Sequence, residues 1–225
     1  MSIEFYDAHS HVLQKQIGGF LIALEGTPKY KGTLSNEEVI RKDRKYDNLY
    51  AVEYVTAAFQ KTSTQIVKYH PQREKYSPSE VVLDIEHRQP KIVIIDTLGQ
   101  PLWEPRDYWL IAKQFPNIGF ILAHSGGWDI AQFLRISILE KNVWLDFSWT
   151  QEYFGWCGLN PKYRPVIETI DYGMKYKRLE EKVLFGSDNP FYSQSIAIQK
   201  YISLPNSENM LINNFLNLLD RSNIS

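Results

Sequence analysis

The chain has 225 residues, 44% of them hydrophobic and 14% aromatic, so it can build one large apolar core, and one domain over residues 1–225 is expected. Its 25 Lys and Arg against 26 Asp and Glu leave a net charge of -1, which argues against nucleic acid and membrane surfaces as partners. The one cysteine, Cys157, excludes an intrachain disulfide and fits a reducing compartment.

No apolar stretch reaches the roughly 18 residues of a membrane-spanning helix. No basic segment followed by an apolar one opens the chain, so the expected address is the cytoplasm. Cys157, in Phe154-Gly155-Trp156-Cys157-Gly158, has no Cys or His at zinc-finger spacing and reads as structural.

Strands are expected at Ile3–His9, Leu49–Thr56, Gln65–His70, Lys91–Asp96, Ile118–His124, Val143–Phe147 and Lys182–Ser187. Lys91-Ile92-Val93-Ile94-Ile95 and Gly119-Phe120-Ile121-Leu122-Ala123 are nearly continuous apolar runs, as in parallel strands covered on both faces. Helices are expected between them. Ser35 with Glu38, and Ser77 with Glu80, form capping-box patterns that open two. Arg106–Phe115, Ile130–Glu140 and Ser207–Leu219 carry apolar residues at helical spacing.

Strands alternating with helices imply parallel pairing. Seven strand candidates point to a distorted (β/α)8 TIM barrel of the α/β class, with a strand-helix unit short or missing near residues 49–70. The alternative is a doubly wound open sheet, although no glycine-rich nucleotide signature supports it.

Ionisable residues recur where the apolar runs end. In a strand, His9 and His11 share a face roughly 7 Å apart at their Cα atoms, and their rings can converge on one divalent cation. Asp7 is expected on the same face, either orienting a ligand ring or closing a structural hydrogen bond. Lys68 and His70 end the Gln65 run, Asp96 the Lys91 run, His124 the Ile118 run, and Asp188 follows the last. In a barrel, these strand ends meet on one rim and supply the catalytic groups.

Tyr6-Asp7-Ala8-His9-Ser10-His11, Ile121-Leu122-Ala123-His124-Ser125-Gly126-Gly127 and Leu184-Phe185-Gly186-Ser187-Asp188-Asn189-Pro190-Phe191 together resemble the amidohydrolase superfamily, in its branch of metal-dependent hydrolases and decarboxylases. Ile212-Asn213-Asn214-Phe215-Leu216-Asn217-Leu218-Leu219 is similar to that family's closing helix, with Phe215 in place of the usual alanine. The resemblance implies a distorted TIM barrel with one divalent metal, most often zinc. It implies His9, His11 and Asp188 as ligands, Asp188 also as proton shuttle, and His124 as a group that contacts the metal or polarises the substrate. The family usually ends its fifth strand with a ligating histidine; here Asp96 stands there. A carboxylate ligates zinc at about 2.0–2.2 Å, but it makes the site harder and favours manganese or magnesium. Alternatively the site holds no metal tightly: lactonases of the superfamily work without one.

The chemistry implied is hydrolysis of a carbonyl-type bond, an amide, ester or lactone, in a small molecule. The cation brings bound water toward a pKa of about 7. Asp188 takes the proton as hydroxide attacks, and His124 helps stabilise the oxyanion. His70 and Trp149 are candidate substrate contacts; Tyr153, Phe154, Trp156, Trp103 and Trp128 are further aromatic candidates for a pocket wall. Some superfamily members carry a carboxylated lysine on the fourth strand that bridges two metals. The branch resembled here is mononuclear, which leaves Lys68 at the surface or on a substrate carboxylate. Two rival readings stand beside hydrolysis: a non-oxidative decarboxylase of a small unsaturated or aromatic acid, and a metal-poor binding protein descended from such enzymes. Whether the chain forms a homo-oligomer is left open.

Overall fold

The computed structural model describes residues 4–13, 17–25, 32–56, 63–98, 103–148, 177–202 and 206–224. Eight parallel strands follow one another around a sheet in chain order: β1 (Tyr6–Ser10), β2 (Gly18–Ile22), β3 (Leu49–Tyr54), β4 (Ile66–Tyr69), β5 (Ile92–Asp96), β6 (Gly119–Ala123), β7 (Val143–Asp146) and β8 (Val183–Leu184). The last strand returns to the first. Ser10 bridges Asn189 in parallel, and the Ala8 and Asp188 amides donate to the Phe185 and His9 carbonyls at 2.8 and 2.7 Å. The sheet is therefore a nearly closed barrel, the distorted TIM barrel expected above.

Alternation along the strands separates two layers. Ile66, Ile92, Ile94, Ile121, Ala123, Trp144 and Leu184 pack with Phe215, Leu218 and Leu219 from the C-terminal helix, which seals the floor of the barrel. Val67, Val93, Ile95, Leu122, Val143 and Leu145 pack outward against the surrounding helices. Those helices are α1 (Asn36–Asp43), α2 (Pro71–Glu74), α3 (Pro78–Arg88), α4 (Pro105–Gln114), α5 (Ile130–Leu139), α6 (Lys177–Glu180), α7 (Gln194–Ile202) and α8 (Asn214–Arg221). Both capping boxes are formed: Ser35 with Glu38 opens α1, and Ser77 with Glu80 opens α3. A π-helical turn, Asn209–Asn213, leads into α8. No helix among the described residues is long and apolar enough to cross a membrane.

The gap expected near residues 49–70 lies elsewhere. β3 and β4 are both present there, and the strand the sequence concealed is β2, ahead of the first helix. It opens on Gly18-Gly19, which strand propensity penalises. Gly19 has φ +139°, and a Cβ on it would stand 2.2 Å from the Asp7 carbonyl oxygen, so glycine is what lets β2 lie against β1. Asp7 is also not on the face of the histidines. The β1–β2 register shifts between Asp7 and Ser10, breaking the alternation. Ala8 packs with the interior cluster, while Asp7 bonds to Gln194 on α7.

Candidate metal centre

Above the apolar floor, the inward positions at the C-terminal strand ends become polar. Lys68 lies one residue before the end of β4, Asp96 and Asp146 end β5 and β7, and His9 from β1, His11, His124 and Asp188 join them, all buried. Two backbone segments that place these groups are unusual. His124 and Ser125 (φ 62° and 51°) precede Gly126 and Gly127 (φ 81° and 55°) in left-handed conformations, as does Asp188 (φ 56°). The turn is held by Thr97, whose hydroxyl accepts from the Gly126 amide at 2.7 Å and donates to the Ala123 carbonyl. Ser125 Oγ donates to the Asp146 carbonyl at 2.6 Å.

The rings of His9 and His11 are fixed by acceptors at their Nδ1 atoms. His9 Nδ1 meets Asp146 Oδ2 at 2.5 Å, and His11 Nδ1 meets the Ile22 carbonyl at 2.9 Å. Both acceptors require a proton on Nδ1, so each neutral ring turns its Nε2 lone pair into the barrel. Burial first, then the nearby Lys68 charge, lowers the His9 pKa to about 4. Burial likewise lowers that of His11. Both lone pairs face one oxygen: His9 Nε2 and His11 Nε2 each lie 3.4 Å from Asp188 Oδ1. Burial raises the Asp188 pKa, but the neighbouring His11, His9 and His124 outweigh it and hold the carboxyl well below its ordinary range.

These atoms fit a metal. Donors about 2.0–2.1 Å from a tetrahedral zinc lie roughly 3.3–3.4 Å from one another, which is the separation found on both edges. His9, His11 and Asp188 form one of the two buried groups among the described residues whose ligand atoms lie within 4.8 Å of one another. The other, His9, His124 and Asp146, uses the Nδ1 side of His9, already committed to Asp146. The first group is the better cation site, with Asp146 and Ile22 as the acceptors that orient its imidazoles.

The remaining groups surround Asp96. Its Oδ2 lies 3.2 Å from His124 Nε2, 3.4 Å from Lys68 Nζ and 3.6 Å from His70 Nε2. Burial opposes its charge, but His70, His124 and Lys68 overcome that and lower its pKa far below the ordinary value. In turn, burial opposes a charged His124, and Asp96 outweighs it to raise the pKa of that ring. Ser148 Oγ contacts His124 Nδ1 at 2.8 Å and His9 Nδ1 at 3.3 Å, joining the two halves.

The structure therefore brings together His9, His11, Asp96, His124 and Asp188. His70 stands at the edge of the group, with a side chain 23% exposed and an Nδ1 that has no partner among the described residues. Trp149, Tyr153, Phe154, Trp156 and Cys157 lie outside the described residues, as does the Trp128 side chain. Trp103 is a core residue: it is buried, and its indole donates to the Tyr76 carbonyl. Lys68 is not a surface residue, because at 2% exposure it lies inside the barrel, 2.9 Å from His9 Nε2. Asp7 does not touch the His9 ring; it accepts from the His9 and Ser187 amides, Ser187 Oγ and Gln194. Sequence reasoning passed over Asp146 and Ser148. Asp146 carried a usable signal, since Val143-Trp144-Leu145-Asp146 is another apolar run ending in an acid.

The Amidohydrolase family matches residues 101–210, which include β5's following helix, His124, Asp146 and Asp188. Over that segment, just under half of the chain, the sequence is similar to that family. Its fold is shared with an uncharacterised TIM-barrel protein from Bordetella bronchiseptica (15% identity, 92% of this chain and 78% of that one, TM-score 0.60). It is shared also with an amidohydrolase from Burkholderia multivorans that has bound zinc (11% identity, 93% and 84% covered, TM-score 0.56). A third likeness is to 2,6-dihydroxybenzoate decarboxylase in complex with 2,6-dihydroxybenzoate (11% identity, 82% and 75% covered, TM-score 0.52). No curated protein sequence matches the chain. At such identities these structures speak for the barrel fold alone, which hosts more than one reaction.

Proposed function

We propose that this amidohydrolase relative is a metal-dependent hydrolase that opens a carbonyl-type bond, an amide, ester or lactone, of a small molecule. The observation that carries the reading is the convergence of His9 Nε2 and His11 Nε2 on Asp188 Oδ1, each at 3.4 Å, with both Nδ1 atoms already bound to acceptors. Such a buried convergence of acceptors calls for a cation. His9, His11 and Asp188 would hold one divalent ion; zinc fits the donor distances, and manganese or magnesium suit the acidic neighbourhood. When bound, that ion polarises a carbonyl and acidifies water.

The protein's own groups supply the rest. Asp188, kept ionised, accepts a proton from the attacking water and returns it to the leaving group as the carbon–heteroatom bond breaks. His124, kept charged by Asp96, donates a hydrogen bond toward the oxygen on which negative charge develops. His70, at the mouth, contacts the substrate, as does Trp149 in this reading.

His124 also supports a second reading. A buried acid that retains its proton is what a non-oxidative decarboxylase needs: the C–C bond breaks, carbon dioxide leaves, and the electron pair left on carbon takes the proton of His124. Small aromatic acids, the ligand class of the decarboxylase named above, are the compounds to try for it. The test is direct. Metal-stripped protein is reloaded with zinc or manganese, its content measured, and turnover assayed on panels of small esters, lactones, amides and aromatic acids. About one metal per chain is expected, lost in His9→Ala, and hydrolysis should fall 100-fold or more in Asp188→Asn. Carbon dioxide without hydrolysis selects the decarboxylase; no metal above background and no effect of His9→Ala defeats both.

A further inference from the structure

A neutral imidazole ring has one in-plane lone pair, on its unprotonated nitrogen. In His9 the Nδ1 atom is committed to Asp146, so Nε2 is the sole atom of this ring that can bind a metal. Lys68 Nζ lies 2.9 Å from that same Nε2, at hydrogen-bonding distance. The lone pair can accept from the ammonium or coordinate a cation, but not both. Lys68 is enclosed: the side chain is 2% exposed and rises from the inward face of β4 beside Ile66. It does have a second berth within the barrel, since Asp96 Oδ2 is 3.4 Å from its Nζ.

We infer that Lys68 is a built-in competitor of the metal, which enters only when the ammonium leaves His9 Nε2 for Asp96. The inference rests on the metal reading above. Its consequence is that the ligand set His9, His11 and Asp188 binds a divalent ion more weakly than its donors would otherwise allow. Part of the loss is the hydrogen bond to His9 that must break. The remainder is repulsion between a divalent ion and an ammonium that stays nearby, in surroundings that screen charge poorly.

Zinc titration against a chromophoric chelator, on the full chain stripped of metal, tests it. Lys68→Met keeps the apolar stem and removes the charge, and should bind zinc at least 10-fold more tightly than wild type. Lys68→Arg keeps a cation and should not gain. His9→Ala combined with Lys68→Met should cancel the gain. Equal or weaker binding by Lys68→Met than by a wild type that does load overturns the inference and leaves the metal reading standing. Failure of both proteins to bind zinc overturns the two together. If circular dichroism shows Lys68→Met unfolded, Lys68→Leu carries the same test: it too removes both the charge and the donor toward His9, and a lack of gain there is equally decisive.

Discussion

Asp146 holds His9. Its Oδ2 meets His9 Nδ1 at 2.5 Å with both side chains fully buried, and its Oδ1 accepts from the Ser148 amide at 2.6 Å. The carboxylate thereby fixes which nitrogen of the ring carries the proton and aims the other at the site. Asp146→Ala should lower zinc affinity 10- to 100-fold, the range for groups that orient a ligating histidine. The chelator titration reads this directly, and unchanged affinity would reduce the pair to a structural contact.

Gly186 leaves the space in which Asp146 sits. A Cβ at this position would stand 2.3 Å from Asp146 Oδ1 and 3.0 Å from His9 Cβ. Gly186→Ala should therefore cost about 1–3 kcal/mol, as overpacking does elsewhere, and should weaken zinc binding through the displaced carboxylate. Urea denaturation with a parallel metal titration measures both. A variant as stable and as metal-avid as wild type would show that the seam opens freely.

Asp96 is expected to act on the metal through Lys68. In the wild-type background, Asp96→Asn should weaken zinc binding, because Lys68 loses the berth 3.4 Å away. In the Lys68→Met background the same substitution should change affinity by no more than about threefold, the coupling that a double-mutant cycle isolates. A loss of 10-fold or more in that second background would make Asp96 a direct ligand, as its place at the end of the fifth strand suggests.

Burial raises the Asp7 pKa to about 6 against an ordinary 3.8, despite hydrogen bonds from Ser187, Gln194 and the His9 amide. The folded chain then keeps a proton that the unfolded chain has released, so this group's contribution to stability falls as pH rises from about 4 to 6. The window corresponds to about 3 kcal/mol. Denaturant unfolding of metal-free wild type and Asp7→Asn at pH 4, 5, 6 and 7 should show wild type losing that much relative to the variant. Other groups, such as His9 with its lowered pKa, are common to both proteins and cancel in the difference. A flat difference would mean that the donors around Asp7 keep it charged throughout.

Much of the barrel was legible because its strands are buried on both faces: β5 and β6 are uninterrupted apolar runs ending in Asp96 and His124. The site was legible for the same reason, since an ionisable residue at the end of such a run has the rim as its place. Two kinds of information were missing from the linear pattern. β2 depends on a backbone approach that only Gly18-Gly19 permits, and local preference reads that pair as a turn. The β1 irregularity between Asp7 and Ser10 separates residues that strict alternation would put together. Lys68 shows a different limit. Its type suggested the surface, and only the partners that face it across the barrel, His9 and Asp96, account for a buried ammonium.

The closing seam between β8 and β1 is formed by Ala8 with Phe185, His9 with Asp188 and Ser10 with Asn189. The proposed ligands His9, His11 and Asp188 straddle it. A metal bound there would be a clasp between the two ends of the barrel, fastening residues about four fifths of the chain apart in sequence. It also sets a timetable for biosynthesis: both histidines precede Asp188 in the chain, so a nascent chain offers no finished pocket to the cell's metal supply until residue 188 has left the ribosome and the last strand has docked.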